Sequence, residues 1–256
     1  MKVISIAQHK GGTGKTTTTL NLGYGLANAG KKVLLVDMDA QANLTDSLEI
    51  SESSTIEGKN MYHYMTMKAK NPTPLKVTEN LFILPSSIDL AGAETEMNSI
   101  PSRDLVLKKI LQKIDGFDFV LIDCPPSLGV LTLNALIASN EVYVPMQAEL
   151  LPYKGLAKLS DVLALIREMS DSTIDISGIL LTMTQGTVLN RDIINILKEQ
   201  YGDRVFSSMI RRNIAISEAI TQKKSIFEYA PESNGAKDYS EFVNLVLSKS
   251  INHVNV

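Results

Sequence analysis

Short apolar runs alternate with helical patterns along the chain. The runs are KVISIA (2–7), KVLLVDMD (32–39), LFILP (81–85), FDFVLIDCPP (117–126), EVYVPM (141–146) and IDISGILLTM (174–183). Runs such as VLLV and FVLI carry apolar residues in succession rather than alternation, which predicts strands buried on both faces, as in parallel sheets. Between them, KTTTTLNLGYGLANAG (15–30) predicts a helix stopped by Gly30, and RDLVLKKILQKI (103–114) an amphipathic one. In 154–169, Leu156, Leu159, Leu163 and Ile166 recur at helical spacing. RDIINILKEQY (191–201) and AKDYSEFVNLVLSKS (236–250) complete the predicted helices. The stretch 45–80 is less regular, with one short helix at MYHYMTM broken by NPTP.

This alternation predicts an α/β fold: a single doubly wound, mostly parallel sheet flanked by helices on both faces, joined by right-handed crossovers. No repeat, linker or low-complexity segment divides the chain, so 1–256 reads as one domain.

Composition narrows the function. No run of 18 apolar residues exists, so no membrane span is expected, and the apolar run at the N-terminus is too short for a signal peptide. The single cysteine, Cys124, excludes an internal disulfide framework and a multi-cysteine metal site within one chain, and it fits a reducing cytoplasm. Trp is absent and aromatic residues are 5%, which disfavours stacking platforms for single-stranded nucleic acid. The net charge is −3, yet 191–224 holds seven basic residues against four acidic ones. Such an excess suits either a face for polyanions or an ordinary solvated surface.

The loop after the first predicted strand carries the chemistry. In QHKGGTGKTTTT (8–19), Gly11, Gly12 and Gly14 let backbone N–H groups converge on phosphate, and the following helix adds its positive end. Lys15 is placed to reach the β- and γ-phosphates, and the Thr16 hydroxyl to bind Mg²⁺. The strict pattern G-x-x-x-x-G-K-[ST] requires glycine at position 9, where this chain has His9. Acids end two apolar runs: Asp37 and Asp39 in VLLVDMDAQ, on one side of their strand, and Asp123 in FVLIDCPPS. A carboxylate closing an apolar run is costly unless paired or linked to a metal, although some strand-end acids only cap the next helix. Cys124 reads as a packing residue, His9 as structural, and His63 is assigned no role.

K-G-G-T-G-K-T is the deviant Walker A form, and with it the chain resembles the ParA/MinD-type ATPases. The resemblance implies ATP and Mg²⁺ as cofactors, with Lys10, Gly11, Gly12, Thr13, Gly14, Lys15, Thr16 and Thr17 around the nucleotide. It implies that Lys10 reaches across a nucleotide-sandwich homodimer to the partner's ATP, that Asp39 orients the attacking water, and that Asp37 and Asp123 support Mg²⁺ through water. The family form D-x-D-P-Q is altered here, with Ala40 in place of proline.

A second resemblance lies in 209–246. "RN", "SEA", the Y-x-P-x-S-x-G-A run from Tyr229 to Ala236, and Tyr239 match the partition ParA proteins, so the likeness spans nearly the whole chain. It implies that Asn213 contacts the base, and Arg211 stands where the family has proline. A MinD-like membrane helix needs a cationic face, whereas the tail NLVLSKSINHVNV has only Lys249; no membrane binding is expected. The chain starts directly at its first strand, so no N-terminal helix-turn-helix is expected. The implied function is ATP-dependent, nonspecific binding of double-stranded DNA, with a ParB-type partner stimulating hydrolysis to segregate a plasmid or chromosome in the cytoplasm, at the nucleoid. Candidate DNA contacts are Arg191, Lys198, Arg211, Arg212, Lys223 and Lys224. The alternatives are a ParA-like positioning ATPase for a protein cargo, a MinD-like division-site regulator, and a metabolic enzyme with the same nucleotide site.

Overall fold

The computed structural model describes residues 1–50, 58–170 and 172–252. The irregular stretch 45–80 therefore includes seven residues, 51–57, outside the described ones, and the tail ends outside them at 253–256. Among the described residues eight strands form one sheet: β1 (Lys2–Ile6), β2 (Val33–Asp37), β3 (Leu75–Lys76), β4 (Leu81–Leu84), β5 (Phe119–Asp123), β6 (Glu141–Gln147), β7 (Ile176–Thr184) and β8 (Val205–Arg211). Their spatial order is β3-β4-β2-β5-β1-β6-β7-β8. Every neighbouring pair is parallel except β3 with β4. The helices are α1 (Lys15–Asn28), α2 (Asn43–Asp46), α3 (Met61–Met65), α4 (Leu90–Glu96), α5 (Val106–Leu111), α6 (Val130–Ala138), α7 (Leu150–Met169), α8 (Val188–Tyr201), α9 (Ile214–Thr221), α10 (Ile226–Tyr229) and α11 (Asn234–Asn252).

The continuous apolar runs are buried on both faces because side chains alternate between two core layers. In β2, Val33 and Leu35 join the layer of α1 and α11, with Leu22, Leu26, Phe242 and Val246. Leu34 and Val36 join the layer of α5 to α8, with Leu107, Leu136, Leu159 and Leu197. The connection from β1 toward β2 puts α1 in one layer. The connection from β5 toward β6 runs the other way and puts α6 in the opposite layer, so both crossovers share one hand, as the twist of the sheet requires. α1 and α11 approach closely at Gly25, where a Cβ would stand 2.4 Å from Val243 Cγ2.

Seven elements were not legible as such: the short α2, β3, α4, α9 and α10, and the longer α6 and β8. α6, VLTLNALIA, is apolar but for Thr132 and Asn134, so it shows no clear polar face, and it has no side-chain cap. β8, VFSSMIR, is an edge strand whose buried Ser208 and exposed Ser207 blur the hydrophobic pattern. The amphipathic segment 103–114 begins as a 3₁₀ turn, Arg103–Leu105, and becomes α-helical only over Val106–Leu111. Asn134 of α6 holds this join, donating to Arg103 O at 2.8 Å and accepting from Leu107 N at 3.0 Å. Among the described residues no helix is long and apolar enough to cross a membrane.

Candidate functional site

β1 lies in mid-sheet between β5 and β6, and residues 7–14 connect it to α1 at the carboxyl edge of the strands. Gly12 and Gly14 have φ of 72° and 88°, the left-handed region that favours glycine. A Cβ on Gly12 would meet nothing within 4 Å, so backbone conformation and not crowding selects glycine there. The loop is pinned from β7 and β6: Thr182 Oγ1 donates to Thr13 O at 2.8 Å, and Gln147 Nε2 donates to Gly12 O at 3.1 Å. Gly14 is the N-cap of α1, and no side chain caps this end or places an acid in its first turn. The opening N–H groups of α1 thus face outward without a side-chain acceptor, which makes an anion site.

The two lysines of the loop differ sharply. Lys15 is buried at 7% exposure, and its Nζ donates to Lys10 O at 3.4 Å. Burial holds its pKa below the usual lysine range, with Asp123, Cys124 and Asp39 opposing that shift. Lys10 sits at the mouth, its Nζ 3.5 Å from Glu149 Oε2, with 37% and 52% of the two side chains exposed.

The acids converge on the start of α1. Asp37 and Asp123 are register partners on β2 and β5. The Thr16 hydroxyl donates to Asp123 Oδ2 at 2.7 Å, while Asp123 Oδ1 is buried without a hydrogen-bond partner. Burial, then the neighbouring Asp37, push the Asp123 carboxyl well above the usual carboxylate range. Burial likewise raises Asp37 to about 6, against hydrogen bonds from Thr45 and from the Asp39 backbone. Both oxygens of Asp37 are engaged: Oδ2 accepts from Thr45 N at 2.9 Å and Oγ1 at 2.7 Å, and Oδ1 accepts from Asp39 N at 3.1 Å. Asp39 is half-buried at the rim, its backbone fixed by Ser86 Oγ at 2.7 Å and its Oδ1 accepting from Gln41 N. A divalent cation fits this set, since it would satisfy the orphaned Asp123 oxygen beside the Thr16 hydroxyl and relieve two adjacent buried carboxylates.

A cavity of about 480 Å³ adjoins the loop, with Gly14, Thr17, Arg211, Asn213, Ile216 and Tyr239 among its walls. Asn213 is the N-cap of α9, its Oδ1 accepting from Ala215 N at 2.9 Å. Arg211 is clamped by Asp238, which accepts from Arg211 Nη2 at 2.6 Å, from Nε at 3.1 Å and from its backbone N at 2.9 Å. Asp238, Thr45, Ser86, Thr182 and Gln147 were missed by sequence reasoning. Thr45 lies eight residues from Asp37, the others at least 27 from the group they position, and none belongs to a spaced motif.

The basic segment does not lie on one face of the sheet. α8 packs through Ile193 and Leu197 into the layer of α5 to α7, whereas α9 packs through Ile216 and Ala219 into the layer of α1 and α11. Arg191 and Lys198 on α8 therefore flank the β8 edge from one side, and Lys223 and Lys224 after α9 from the other. Among the described residues Arg191, Lys198, Arg212, Lys223 and Lys224 are exposed and form no ion pair, while Arg204 binds Asp175 at 2.8 Å. Cys124 is buried, its thiol pushed up to about 12 mainly by burial, so it is inert packing. His63 Nδ1 stands 2.8 Å from Asn60 Oδ1, the cap of α3.

A protein-family profile described as an AAA domain matches residues 1–176. The chromosome-partitioning ATPase Soj of Treponema pallidum (strain Nichols) is 39% identical over 252 residues, which cover 97% of this chain and 98% of that protein. The chain belongs to the ParA/Soj-type ATPases. Solved structures extend the likeness of this ParA/Soj-type chain. A putative plasmid partition protein from Borrelia burgdorferi B31, bound to AMPPNP, superposes with a TM-score of 0.85 at 27% identity, covering 97% of this chain and 99% of that one. Cobyrinic acid a,c-diamide synthase from Mycobacterium smegmatis, with a bound ATP analog and magnesium, gives 0.81 at 32% identity, covering 96% and 94%. The ParA/Soj-type assignment thus joins a P-loop ATPase fold to relatives named for partition.

Proposed function

We propose that residues 1–256 act as one partition ATPase domain whose ATP-bound homodimer holds nonspecific double-stranded DNA. Hydrolysis, stimulated by a ParB-type partner, releases the dimer, and repeated cycles segregate a plasmid or chromosome at the nucleoid in the cytoplasm. One observation carries this reading: a single loop holds a buried ammonium, Lys15, and a second, Lys10, at its exposed mouth. The first suits a nucleotide bound in cis, and the second remains accessible to a neighbour.

Gly11, Gly12, Thr13, Gly14, Thr16 and Thr17 would wrap the phosphates with the opening amides of α1, and Lys15 would neutralise the β- and γ-phosphates. Thr16 and Asp123 would hold Mg²⁺, with Asp37 acting through water because its own oxygens are engaged. Bound Mg²⁺ supplies charge neutralisation on the phosphate oxygens. Asp39 orients the attacking water, and Asn213 faces the base. The partner's Lys10 offsets charge on the transferred phosphoryl group, as an arginine finger does. Because that cation comes from a second chain, ATP and dimerisation are linked, and the switch follows from differential affinity of the two states for DNA. Two copies of the β8 edge would then offer Arg191, Lys198, Arg212, Lys223 and Lys224 to backbone phosphates. Light scattering with ATPγS and Mg²⁺ tests the reading: it requires a dimer that vanishes with ADP, and a monomer under both conditions refutes it.

A further inference from the structure

The base end of the cavity presents an unusual surface. A nucleobase in a pocket packs its face on aliphatic or planar side chains; Ile214 and Ile216 offer the former, while Trp, Phe and His are missing from the lining. Tyr239 is the lone aromatic there, but it is 1% exposed, with its hydroxyl 3.4 Å from Thr18 Oγ1. Two exposed guanidinium groups, Arg211 and Arg212, stand in the lining, and of these Arg211 is the one held by a carboxylate. Its guanidinium is held by Nε and Nη2 on one buried carboxylate, a forked arrangement that fixes the plane through its edge and leaves 51% of the side chain exposed. Asp238 also takes the Arg211 backbone N–H, so side chain and main chain are set by the same anchor. A phosphate approaching this fork would meet the Asp238 charge, whereas a base approaching the flat face meets a delocalised cation. Asn213, two residues on, has its Oδ1 committed to Ala215 and therefore offers the base a donor.

We propose that the Asp238-clamped Arg211 guanidinium is the stacking plate for the nucleobase of the bound nucleotide and not a DNA contact, an assignment that rests on the nucleotide-site reading above. Asp238 is its positioning residue. None of the bonds of the clamp is legible as a motif, since the partners are 27 residues apart.

The test measures inhibition constants of MgADP and magnesium tripolyphosphate, by displacement of mant-ADP from the full chain. Tripolyphosphate occupies the phosphate loop without a base. Arg211→Ala should weaken ADP about 5- to 30-fold while changing tripolyphosphate less than about twofold. Arg211→Lys keeps the charge, loses the plane, and should show the same split. Asp238→Asn should weaken ADP selectively, at an unchanged tripolyphosphate constant. DNA retention by Arg211→Ala at saturating ATPγS should equal wild type. Unchanged ADP binding in both Arg211 variants overturns the proposal, as does equal weakening of the two ligands, full rescue by lysine, or selective loss of DNA. Lys15→Ala separates the two levels: if neither ligand weakens there, the phosphate-loop reading fails, whatever Arg211 does.

Discussion

Asp37 and Asp123 are side-by-side register partners on β2 and β5, and both carboxyls are withdrawn from water. Two buried acids on adjacent strands repel, and only Asp123 keeps an oxygen without a partner. The pair is a destabilising feature of the free protein, of the kind that a bound cation would relieve. Asp123→Asn should therefore raise the stability of the nucleotide-free protein at pH 7 by about 1–3 kcal/mol, visible as a melting shift of roughly 2–4 °C per kcal/mol. It should also remove Mg²⁺-dependent turnover. A lower melting temperature in the variant contradicts the strain argument.

The same pair sets a pH dependence. The folded state raises Asp37 from 3.8 to about 6, so it binds protons more tightly than the unfolded chain. The associated stability is full below pH 3.8 and is lost as pH rises through about 6. Against the global acid unfolding of other groups, the melting-temperature advantage of Asp123→Asn should shrink from pH 7 to pH 5, as the wild-type acid takes up its own proton. An advantage constant across that range contradicts the assignment.

Lys15→Ala should weaken ATP binding at least about 100-fold, because a buried ammonium beside the phosphates acts at low dielectric. Calorimetry with MgATPγS measures it. Near-normal affinity removes Lys15 from the site.

Lys10→Ala should keep nucleotide binding within about fivefold yet abolish the ATPγS dimer in light scattering. The pair with Glu149 does not hold Lys10 back: at 3.5 Å between half-exposed side chains it is worth under about 1 kcal/mol. A persistent dimer in the variant ends the role in trans.

Lys223→Glu with Lys224→Glu, and separately Arg191→Glu, probe the two sides of the β8 edge. Each should lower DNA affinity several-fold at moderate salt and flatten the salt slope, with nucleotide binding unchanged. If only one side responds, the DNA-facing surface is confined to that layer.

Much of the sheet was legible because its central strands are buried on both faces and read as apolar runs, two of them, β2 and β5, ending in acids. The phosphate loop was legible because its glycines and lysines have to be contiguous. The rest depends on contacts between distant segments. α6 has no cap to announce it, and β8 owes its place to pairing with β7, not to its own composition. The Arg211–Asp238 clamp arises only when α11 packs beside β8, the Thr45 grip on Asp37 only when α2 turns back onto the end of β2, and the division of the basic residues only when α8 and α9 pack into different layers.

DNA co-sedimentation with ATPγS, ADP and no nucleotide, across a salt series, tests the central claim most directly. The account predicts retention with ATPγS alone, independent of DNA sequence and falling steeply as salt rises. Equal retention in all three states, or none with ATPγS at low salt, contradicts it.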